Sequence, residues 1–523
     1  MDREGALARL ADQRDPWDFI VIGGGATGVG TALDAAARGY SVALLDRSDF
    51  GKGTSSRSTK LIHGGVRYLQ QGNIPLVMEA LKERGILRGN APHLVQDLPF
   101  VVPNYSWWEA PFYGIGMKVY DALAGKYGFG HSRVLSREET LERIPTIETD
   151  GLNGGVVYHD GQFDDSRLLI NLAQTAVEQG AVLVNYAPVT GLTKSAEGLV
   201  DGVRARDLES GRELELRGRI VVNATGVFAD EIRRMDDPDA APVIRPSQGV
   251  HVVLPRRFLP GDSAIMVPRT DDGRVLFAIP WYHTVVIGTT DTPVDGPELE
   301  PRPLDEEVEF LLEHAARYLE EDPGPEDVLS VFAGLRPLVD PSGGEGETSA
   351  ISREHVILVP PSGLLTIAGG KWTTYRKMAE DVVDHGAILG GLESRPCPTR
   401  ELNIHGYHLH PERFGPLAPY GADAAAVTAL ERHDPGLADR IHPRLPVTAA
   451  QVVWGARAEM ARTVDDVLAR RTRALLFDAA AAAEAAPEVA RLMAAELERD
   501  RGWEQEQVDD FRAPAAGYRL PAG

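Results

Sequence analysis

Three glycines, Gly23, Gly25 and Gly28, stand in the spacing G-x-G-x-x-G near the start of the chain. An apolar run at residues 19–22 precedes them, and small residues in a helical pattern follow from Ala26 to Arg38. Glycines in this setting allow a tight turn, a close approach of the backbone to a pyrophosphate, and close packing of helix on strand. The first amides of the helix would carry the phosphates. The pattern predicts that a dinucleotide binds here.

A second buried strand is predicted at residues 41–45, and it ends at Asp46, 18 residues after Gly28. A carboxylate at this place can accept hydrogen bonds from ribose hydroxyls, and it argues against a 2′-phosphate. Glycine motifs alone are weak evidence, but the sequence of strand, glycines, helix, strand and acid is specific. The contacts predicted from this βαβ unit are Gly23, Gly25, Ala26, Thr27, Gly28 and Asp46.

The loop from Thr54 to Leu69 concentrates hydroxyls, glycines and cations in one segment. A domain that binds NAD would normally continue with another plain βα unit, so this loop favours a flavin dinucleotide. Two more glycine turns, at residues 223–226 and 369–370, follow predicted strands, where small residues let the backbone approach a ligand. An ordinary tight turn after a core strand is the alternative for residues 223–226. The further predicted cofactor contacts are Thr54, Ser55, Ser58, Lys60, His63, Gly64, Gly65, Ala224, Thr225, Gly226, Gly370 and Thr374.

These segments resemble one family, the FAD-dependent (aerobic, quinone-linked) glycerol-3-phosphate dehydrogenases. The matching blocks are distributed along nearly the whole chain, at residues 19–25, 54–69, 223–226, 287–291, 334–338, 369–376 and 459–473. The resemblance implies FAD lying across two domains and oxidation of sn-glycerol 3-phosphate to dihydroxyacetone phosphate. It also implies transfer of the C2 hydride to flavin N5 and of the electrons to a quinone.

A dianionic phosphate ester requires fixed cations in its site. Arg336 stands in an otherwise apolar stretch, and Lys371 follows a glycine pair in a chain that prefers arginine. A single arginine is more often a surface cation or an ion-pair partner, so each assignment depends on its matching block. The substrate contacts predicted from these blocks are Arg67, Tyr68, Arg336, Arg353, Lys371 and Thr373.

Oxidation at C2 also requires a base for the hydroxyl proton, and histidine is the usual base near neutral pH. Of the 14 histidines, His63 and His251 lie in or beside matching segments. A packed histidine is the alternative for both, and the sequence does not rank them firmly. We favour His251 because it adjoins a predicted strand at residues 252–253, and we predict His251, His63 and Arg336 as the catalytic group.

The elements that position these residues predict an α/β fold: a Rossmann-like βαβ FAD-binding domain interleaved with a mixed or antiparallel-sheet substrate domain, plus an all-helical C-terminal domain. Strand patterns stop and alanine rises after about residue 390. We predict an oxidoreductase region at 16–390, with FAD-binding parts at 16–100, 150–230 and 335–390, substrate parts at 101–149 and 231–334, and a helical domain at 395–523.

The composition narrows the function further. The 54 basic and 77 acidic residues give a net charge of −23, which excludes general nucleic-acid binding. Cys397 is the only cysteine, so we predict neither an internal disulfide nor a metal site, and non-covalent FAD. The chain shows no signal-peptide pattern and no long apolar run, which predicts a cytoplasmic location. Peripheral contact with the inner face of the cytoplasmic membrane, and a homodimer, are left open.

An aromatic segment bears on membrane contact. We expect it to pack in the core more readily than to enter a bilayer interface, and its apolar members are Trp107, Trp108, Phe112, Tyr113, Ile115 and Met117. Two alternative functions remain: an oxidase of the same fold that reduces O2 to H2O2, and a non-catalytic flavin-binding interaction protein.

Overall fold

The computed structural model describes residues 1–65, 73–106, 109–271, 273–340 and 354–521. The predictions for Arg67, Tyr68, Trp107, Trp108 and Arg353 therefore lie outside the described residues.

Helices dominate the C-terminal quarter of the chain and alternate with strands before it. The helices are α1 (Arg3–Asp12), α2 (Ala26–Ala37), α3 (Ile74–Asn90), α4 (Glu109–Ala124), α5 (Arg137–Arg143), α6 (Asp165–Glu178), α7 (Ala229–Asp236), α8 (Asp305–Ala316), α9 (Tyr375–Leu389), α10 (Ala424–His433), α11 (Ala449–Ala458), α12 (Ala474–Phe477), α13 (Ala479–Glu496) and α14 (Arg501–Ala516). A π-helical turn at Asp466–Arg471 lies between α11 and α12.

The first sheet has a parallel centre and carries the dinucleotide motif. Its strands are β1 (Trp17–Ile22), β2 (Val42–Leu45), β7 (Val182–Val184), β8 (Val189–Lys194), β9 (Val200–Arg206), β10 (Glu213–Asn223), β17 (His355–Leu358) and β18 (Leu365–Gly369). The order β17-β18-β10-β1-β2-β7 runs parallel from β18 to β7. Helices α2, α6 and α9 pack on one face of this sheet, and their apolar side chains share one core with its strands.

The second sheet is mixed and mostly antiparallel. Its strands are β3 (Leu61–Ile62), β4 (Val95–Asn104), β5 (Arg133–Leu135), β6 (Gly154–Phe163), β11 (Ile244–Pro255), β12 (Ala264–Val267), β13 (Leu276–Trp281), β14 (Thr284–Gly288), β15 (Thr292–Pro293) and β16 (Ser330–Val339). Strand β11 pairs antiparallel with both β14 and β16. This pairing agrees with the mixed or antiparallel sheet predicted for the substrate domain.

The helical C-terminal part packs on the second sheet through its own core. That core joins Val253, Trp281, Val286 and Phe332 of the sheet to apolar residues from Ile441 to Tyr518. No strand is found after β18 in the described part of the chain, as the sequence predicts. The fold class predicted from the sequence is thus confirmed, whereas the domain limits stay a prediction.

The aromatic segment before residue 118 is only partly in the core. Met117 on α4 is buried, as expected, but Phe112 and Ile115 are 58% and 68% exposed. The expectation of core packing was therefore wrong for these two side chains, because α4 turns one side toward the protein and the other toward solvent. No helix in the described ranges has the length and apolarity that crossing a membrane requires.

Candidate cofactor cavity and active site

Four parallel strands end at one edge of the first sheet, and each delivers a segment predicted to bind the dinucleotide. Gly23 follows β1, Asp46 follows β2, residues 223–226 follow β10, and Gly370 follows β18. The carboxyl ends of parallel strands are where open α/β sheets bind their ligands. These segments line one cavity of about 460 Å³, within the range of small-molecule sites.

The glycines in this wall are required by close approach of the backbone. Gly23 has φ of +109°, and a Cβ there would lie 2.7 Å from the carbonyl oxygen of Ala224. A Cβ at Gly226 or Gly53 would meet no atom within 4 Å, so both residues leave cavity space open. Helix α2 begins at Ala26 on the wall, which places the positive end of its dipole beside the ligand space.

Asp46 is fixed by two backbone amides. Its Oδ2 accepts from Gly24 N at 2.5 Å and its Oδ1 from Ser48 N at 2.7 Å. Burial nevertheless raises the pKa of Asp46 to about 6, against the effect of these hydrogen bonds. A half-buried carboxylate that lines a cavity suits a ligand that brings hydroxyl donors, as a ribose does.

Arg47 and Phe228 form a cation–π pair on the cavity wall. The guanidinium carbon of Arg47 lies 3.7 Å from the ring centroid of Phe228, and both residues line the cavity. The pair presents flat surfaces that can stack on a nucleobase. Neither residue is among the predicted cofactor contacts, although Arg47 directly follows Asp46 and Phe228 lies two residues after Gly226.

The loop from Thr54 also lines the cavity. Ser55 Oγ accepts from Ala26 N at 3.0 Å, and the Ser55 carbonyl accepts from Trp372 Nε1 at 2.8 Å. Thr54 Oγ1 donates to the carbonyl of Leu335 at 2.7 Å, which joins the loop to β16. The structure thus brings together the Ser/Thr loop and the block after Gly370, as predicted; Trp372 on the same wall was not predicted.

Several predicted contacts lie off the described cavity wall. Lys60 is fully buried, and its Nζ donates to Asp165 Oδ2 at 2.7 Å and to the Ser56 carbonyl at 3.0 Å. We therefore correct its assignment as a cofactor contact, because its amine points away from the cavity. The other predicted residues absent from the described wall are Gly28, Gly64, Gly65 and Thr374.

These four have structural positions instead. Gly28 packs against Gly23 where α2 crosses β1, and Gly64 N donates to Tyr120 Oη at 2.8 Å. Gly65 has φ of +81°, in the left-handed region that favours glycine. Thr374 Oγ1 donates to the carbonyl of Lys371 at 3.3 Å.

One face of the second sheet forms the end of the cavity where chemistry can occur. In the register of β11 with β16, His251 lies opposite Phe332, Gly249 opposite Gly334, and Ser247 opposite Arg336. His251, Gly249, Gly334 and Arg336 all line the cavity. A Cβ at Gly249 would lie 2.4 Å from Nη2 of Arg336, and a Cβ at Gly334 would lie 2.7 Å from the Arg57 carbonyl oxygen, so the two glycines make room for the guanidinium and the loop beside the imidazole.

Arg336 is held in place by protein acceptors. Its Nη2 donates to the Thr290 carbonyl at 2.9 Å and to Thr289 Oγ1 at 3.1 Å. Its Nη1 lies 3.3 Å from Asp291 Oδ1 and its side chain stays 20% exposed. A guanidinium held by these acceptors and lining the cavity can present a fixed charge to an anion.

His251 is buried and its pKa lies well below the ordinary value, because of burial and then the positive charges of Lys60 and Arg336. Its Nε2 lies 2.9 Å from Thr59 Oγ1. Its Nδ1 has no hydrogen-bond partner among the described residues. A neutral imidazole can accept a proton when one nitrogen is held and the other, buried nitrogen has no partner among the described residues.

The cavity is basic although the protein is acidic. His63, Lys371 and Thr373 line it together with His251 and Arg336. Its charged lining residues in the described ranges are the cations Arg47, Lys52, Arg57, Arg336 and Lys371 and the anions Asp46 and Glu231. The positive excess matches the local basic pocket expected for a phosphate ester.

The chain is similar to known proteins along nearly its whole length. Residues 18–376 match the model of the FAD dependent oxidoreductase family, and residues 365–508 match the C-terminal domain of alpha-glycerophosphate oxidase. The mitochondrial glycerol-3-phosphate dehydrogenase of Homo sapiens is 41% identical over 98% of this chain and 74% of its own length. A probable mitochondrial glycerol-3-phosphate dehydrogenase of Caenorhabditis elegans is also 41% identical, over 96% and 73%.

Solved structures agree with the fold. The glycerol-3-phosphate dehydrogenase of Bacillus halodurans, complexed with FAD, has a TM-score of 0.79 at 29% identity, covering 100% of this chain and 98% of its own. The L-alpha-glycerophosphate oxidase of Mycoplasma pneumoniae, with FAD bound, has a TM-score of 0.57 at 16% identity over 75% of this chain and 99% of its own. The second likeness concerns the fold alone.

Proposed function

The chain belongs to the family of FAD-dependent glycerol-3-phosphate dehydrogenases, and from that premise we propose that it oxidises sn-glycerol 3-phosphate to dihydroxyacetone phosphate and passes the electrons to a quinone. The observation that carries this proposal is the cavity wall on which His251 and Arg336 flank Gly249 and Gly334. When bound, FAD supplies the two-electron acceptor, with the C2 hydride going to flavin N5.

The cavity fits FAD residue by residue. The amino end of α2 would hold the pyrophosphate, Asp46 would accept from ribose hydroxyls, and Arg47 with Phe228 would stack on the adenine. Gly370 and Trp372, which also line the cavity, would border the flavin ring. Backbone amides near a ring edge that gains charge on reduction stabilise that charge.

Arg336, Lys371 and Thr373 are the described groups that would orient the substrate. Arg336 offers a fixed guanidinium, Lys371 an ammonium, and Thr373 a hydroxyl. Charge-assisted hydrogen bonds of this kind hold a phosphate strongly and orient C2 toward the flavin. Arg67, Tyr68 and Arg353 remain proposed substrate contacts on the strength of the sequence.

His251 would take the hydroxyl proton at C2. Its lowered pKa, its place on the cavity wall and the lack of a described partner at its buried Nδ1 support this role. His63, which also lines the cavity, is the second candidate, and its carbonyl oxygen lies 3.5 Å from Thr373 Oγ1. That contact places the backbone carbonyl of His63 beside Thr373, a proposed substrate contact.

The quinone is proposed over oxygen because the relatives at about 41% identity are named dehydrogenases, whereas the oxidase likeness is 16%. The experiment reduces the holoenzyme anaerobically with glycerol 3-phosphate and then adds a soluble quinone analogue or air-saturated buffer. We expect reoxidation by the quinone to be far faster than by oxygen. Fast oxidation in air with stoichiometric H2O2 would instead establish the oxidase.

Peripheral contact with a membrane is the further part of this proposal. Ile115 and Val119 of α4 and Val134 of β5 are between 45% and 68% exposed and border one apolar groove. Phe112 of the same helix is 58% exposed. Lys118 and Arg133, whose side chains are 62% and 51% exposed, flank it. An apolar strip between basic side chains suits the surface of an anionic bilayer.

Vesicle sedimentation tests this surface. We expect the holoenzyme to bind vesicles that contain anionic lipid, more weakly as salt is raised, and Ile115→Glu to reduce the binding. The matched control is Leu409→Glu, because Leu409 is 65% exposed and lies in the C-terminal part of the chain. Equal binding by both variants would show that α4 is not the contact.

A further inference from the structure

A buried ionic cluster lies directly behind the loop that faces the cavity. Asp165, at the start of α6, accepts from Lys60 Nζ at 2.7 Å with Oδ2 and from Arg473 Nη2 at 3.0 Å with Oδ1. Lys60 and Arg473 also share the carbonyl of Ser56, at 3.0 and 2.8 Å. All three charged side chains are at most 2% exposed, so the cluster is a fixed part of the interior.

The cluster also forms hydrogen bonds with the backbone of the loop from Thr54. Oδ2 of Asp165 also accepts from Ser58 N at 2.9 Å and from Ser58 Oγ at 2.7 Å. Lys60 has φ of +64° and Arg473 has φ of +62°, in a region that side chains other than glycine rarely occupy. Such conformations persist when surrounding contacts determine them, and they concentrate at functional sites.

Thr59 lies between Ser58 and Lys60 and faces the other way. It lines the cavity, and its Oγ1 lies 2.9 Å from His251 Nε2. The loop therefore has two sides: the ionic cluster holds Ser56, Ser58 and Lys60, and the hydroxyl of Thr59 meets the imidazole. Arg473 extends this link to the helical C-terminal part, about 300 residues after Asp165 in sequence.

We propose that Lys60 and Arg473 are positioning residues that, through Asp165, hold Thr59 where its hydroxyl accepts from Nε2–H of His251 and so leaves Nδ1 to take the substrate's proton. The inference rests on the proposed function, in which His251 is the base. It gives the C-terminal helical part a role in the reaction, because Arg473 belongs to that part. An imidazole needs one nitrogen protonated for the other to accept, so the partner of Nε2 selects the reactive tautomer.

The charges around His251 also affect its pKa. Lys60 from the loop and Arg336 from β16 both lower the pKa of His251, Asp165 from α6 raises it, and burial exceeds all three effects. Loss of the Lys60 charge would raise the pKa of His251, since it removes a cation and leaves Asp165 less compensated. The acid limb of the rate profile would then move to higher pH.

The experiment measures flavin reduction by glycerol 3-phosphate in anaerobic stopped flow, across pH, for holoenzyme variants. For Lys60→Met we expect the acid limb to rise by about one pH unit, and for Lys60→Arg we expect it to return toward wild type. The matched control is Lys82→Met, because Lys82 is an exposed lysine on α3 and we expect it to leave the profile unchanged. A slower rate with an unmoved limb in Lys60→Met would overturn this part of the inference.

Arg473→Gln and Thr59→Val test the link itself. We expect each to lower the limiting reduction rate by about 10- to 100-fold, with the substrate Kd within about twofold of wild type. Because both act through Thr59, the double variant should be no slower than Thr59→Val alone. Multiplied effects would show that Arg473 acts independently of Thr59 and would overturn the inference.

Two further outcomes are decisive. If Lys60→Met yields no flavoprotein, the double-variant comparison decides, because it leaves Lys60 intact. If the wild-type flavin is not reduced by glycerol 3-phosphate at all, the proposed function fails. Wild-type reduction with normal rates in Arg473→Gln and Thr59→Val would overturn the inference alone.

Discussion

The imidazole of His251 stacks on the ring of Phe332, with centroids 4.7 Å apart and planes 11° apart. The two residues are paired across β11 and β16, so the stack is built into the register of the second sheet. At the edge of the imidazole, Nε2 lies within hydrogen-bond distance of Thr59 Oγ1, at 2.9 Å. Two contacts at right angles therefore fix the ring against the cavity, as a base that must act on one atom of a substrate requires.

The first prediction separates the two histidines. His251→Ala should slow flavin reduction by about 10²–10⁴-fold and remove the acid limb of its pH profile, because the neutral imidazole is the proton acceptor. His63→Ala should act mainly on flavin occupancy or loop geometry. Stopped-flow bleaching across pH measures both. Loss of the acid limb in His63→Ala alone would make His63 the base.

The second prediction concerns the dinucleotide motif. Gly25→Val should abolish FAD binding while the C-terminal helices stay folded, because a Cβ there lies 3.1 Å from Ser55 Oγ and its methyl groups would enter the pyrophosphate space. The ratio of flavin to protein absorbance and the far-ultraviolet circular dichroism measure the two effects. Gly89→Val on α3 is the control, since a Cβ at Gly89 meets no atom within 4 Å. Full flavin occupancy in Gly25→Val would refute the assignment.

The third prediction follows from the pKa of Asp46, which burial raises to about 6. The ionised carboxylate accepts from ribose hydroxyls, so FAD should bind the apoprotein best above pH 6 and more weakly as pH falls through 6. Asp46→Asn should weaken binding and remove this part of the pH dependence. Fluorescence titration of the apoprotein with FAD at several pH values measures it. An unchanged pH dependence in the variant would exclude Asp46 as its source.

The fourth prediction assigns Arg336 to the substrate. Arg336→Ala should keep FAD but lose about 2–4 kcal/mol of transition-state stabilisation in kcat/KM, because a charge-assisted contact to the substrate is removed. Arg491→Ala is the matched control, since Arg491 is an exposed arginine that pairs with Glu488. Wild-type kcat/KM in Arg336→Ala would show that this residue has only a structural role.

The fifth prediction concerns how the C-terminal helices are attached. Glu459 accepts from Arg167 Nη1 and Nη2, both at 2.8 Å, and both side chains are at most 3% exposed. Glu459→Ala would leave Arg167 as an unpaired buried charge, at a cost of about 3–5 kcal/mol in the free energy of unfolding. Glu488→Ala, which breaks the exposed pair with Arg491, should cost about 0–1 kcal/mol. Similar losses in both variants, measured by denaturant unfolding, would contradict this account.

Local patterns were enough to predict the dinucleotide wall. Gly23, Asp46 and Gly226 each follow a strand of the parallel sheet and line the cavity. The motif could be predicted because its strand, glycine turn and helix are adjacent in the sequence. The helix predicted from Ala26 to Arg38 is observed at Ala26–Ala37 for the same reason, because its pattern of small residues is local.

Contacts between distant segments were not predictable in this way. Lys60 stands among cofactor-binding residues in sequence, yet its left-handed backbone turns it toward Asp165 and Arg473, 105 and 413 residues away. The pairing of Arg47 with Phe228 likewise depends on strand order, which spacing does not encode. Thr59 was missed because its partner, His251, is brought to it only by the second sheet.

The most direct test of the whole account is anaerobic titration of the yellow holoenzyme with sn-glycerol 3-phosphate. The account predicts that the flavin absorbance near 450 nm bleaches, with one dihydroxyacetone phosphate formed for each flavin reduced, on the order of one to one for a two-electron transfer. The enantiomeric sn-glycerol 1-phosphate should bleach it far more slowly, because the fixed cations and the base address only one face of C2. A flavin that stays oxidised with sn-glycerol 3-phosphate, or one that bleaches without forming dihydroxyacetone phosphate, would contradict the account.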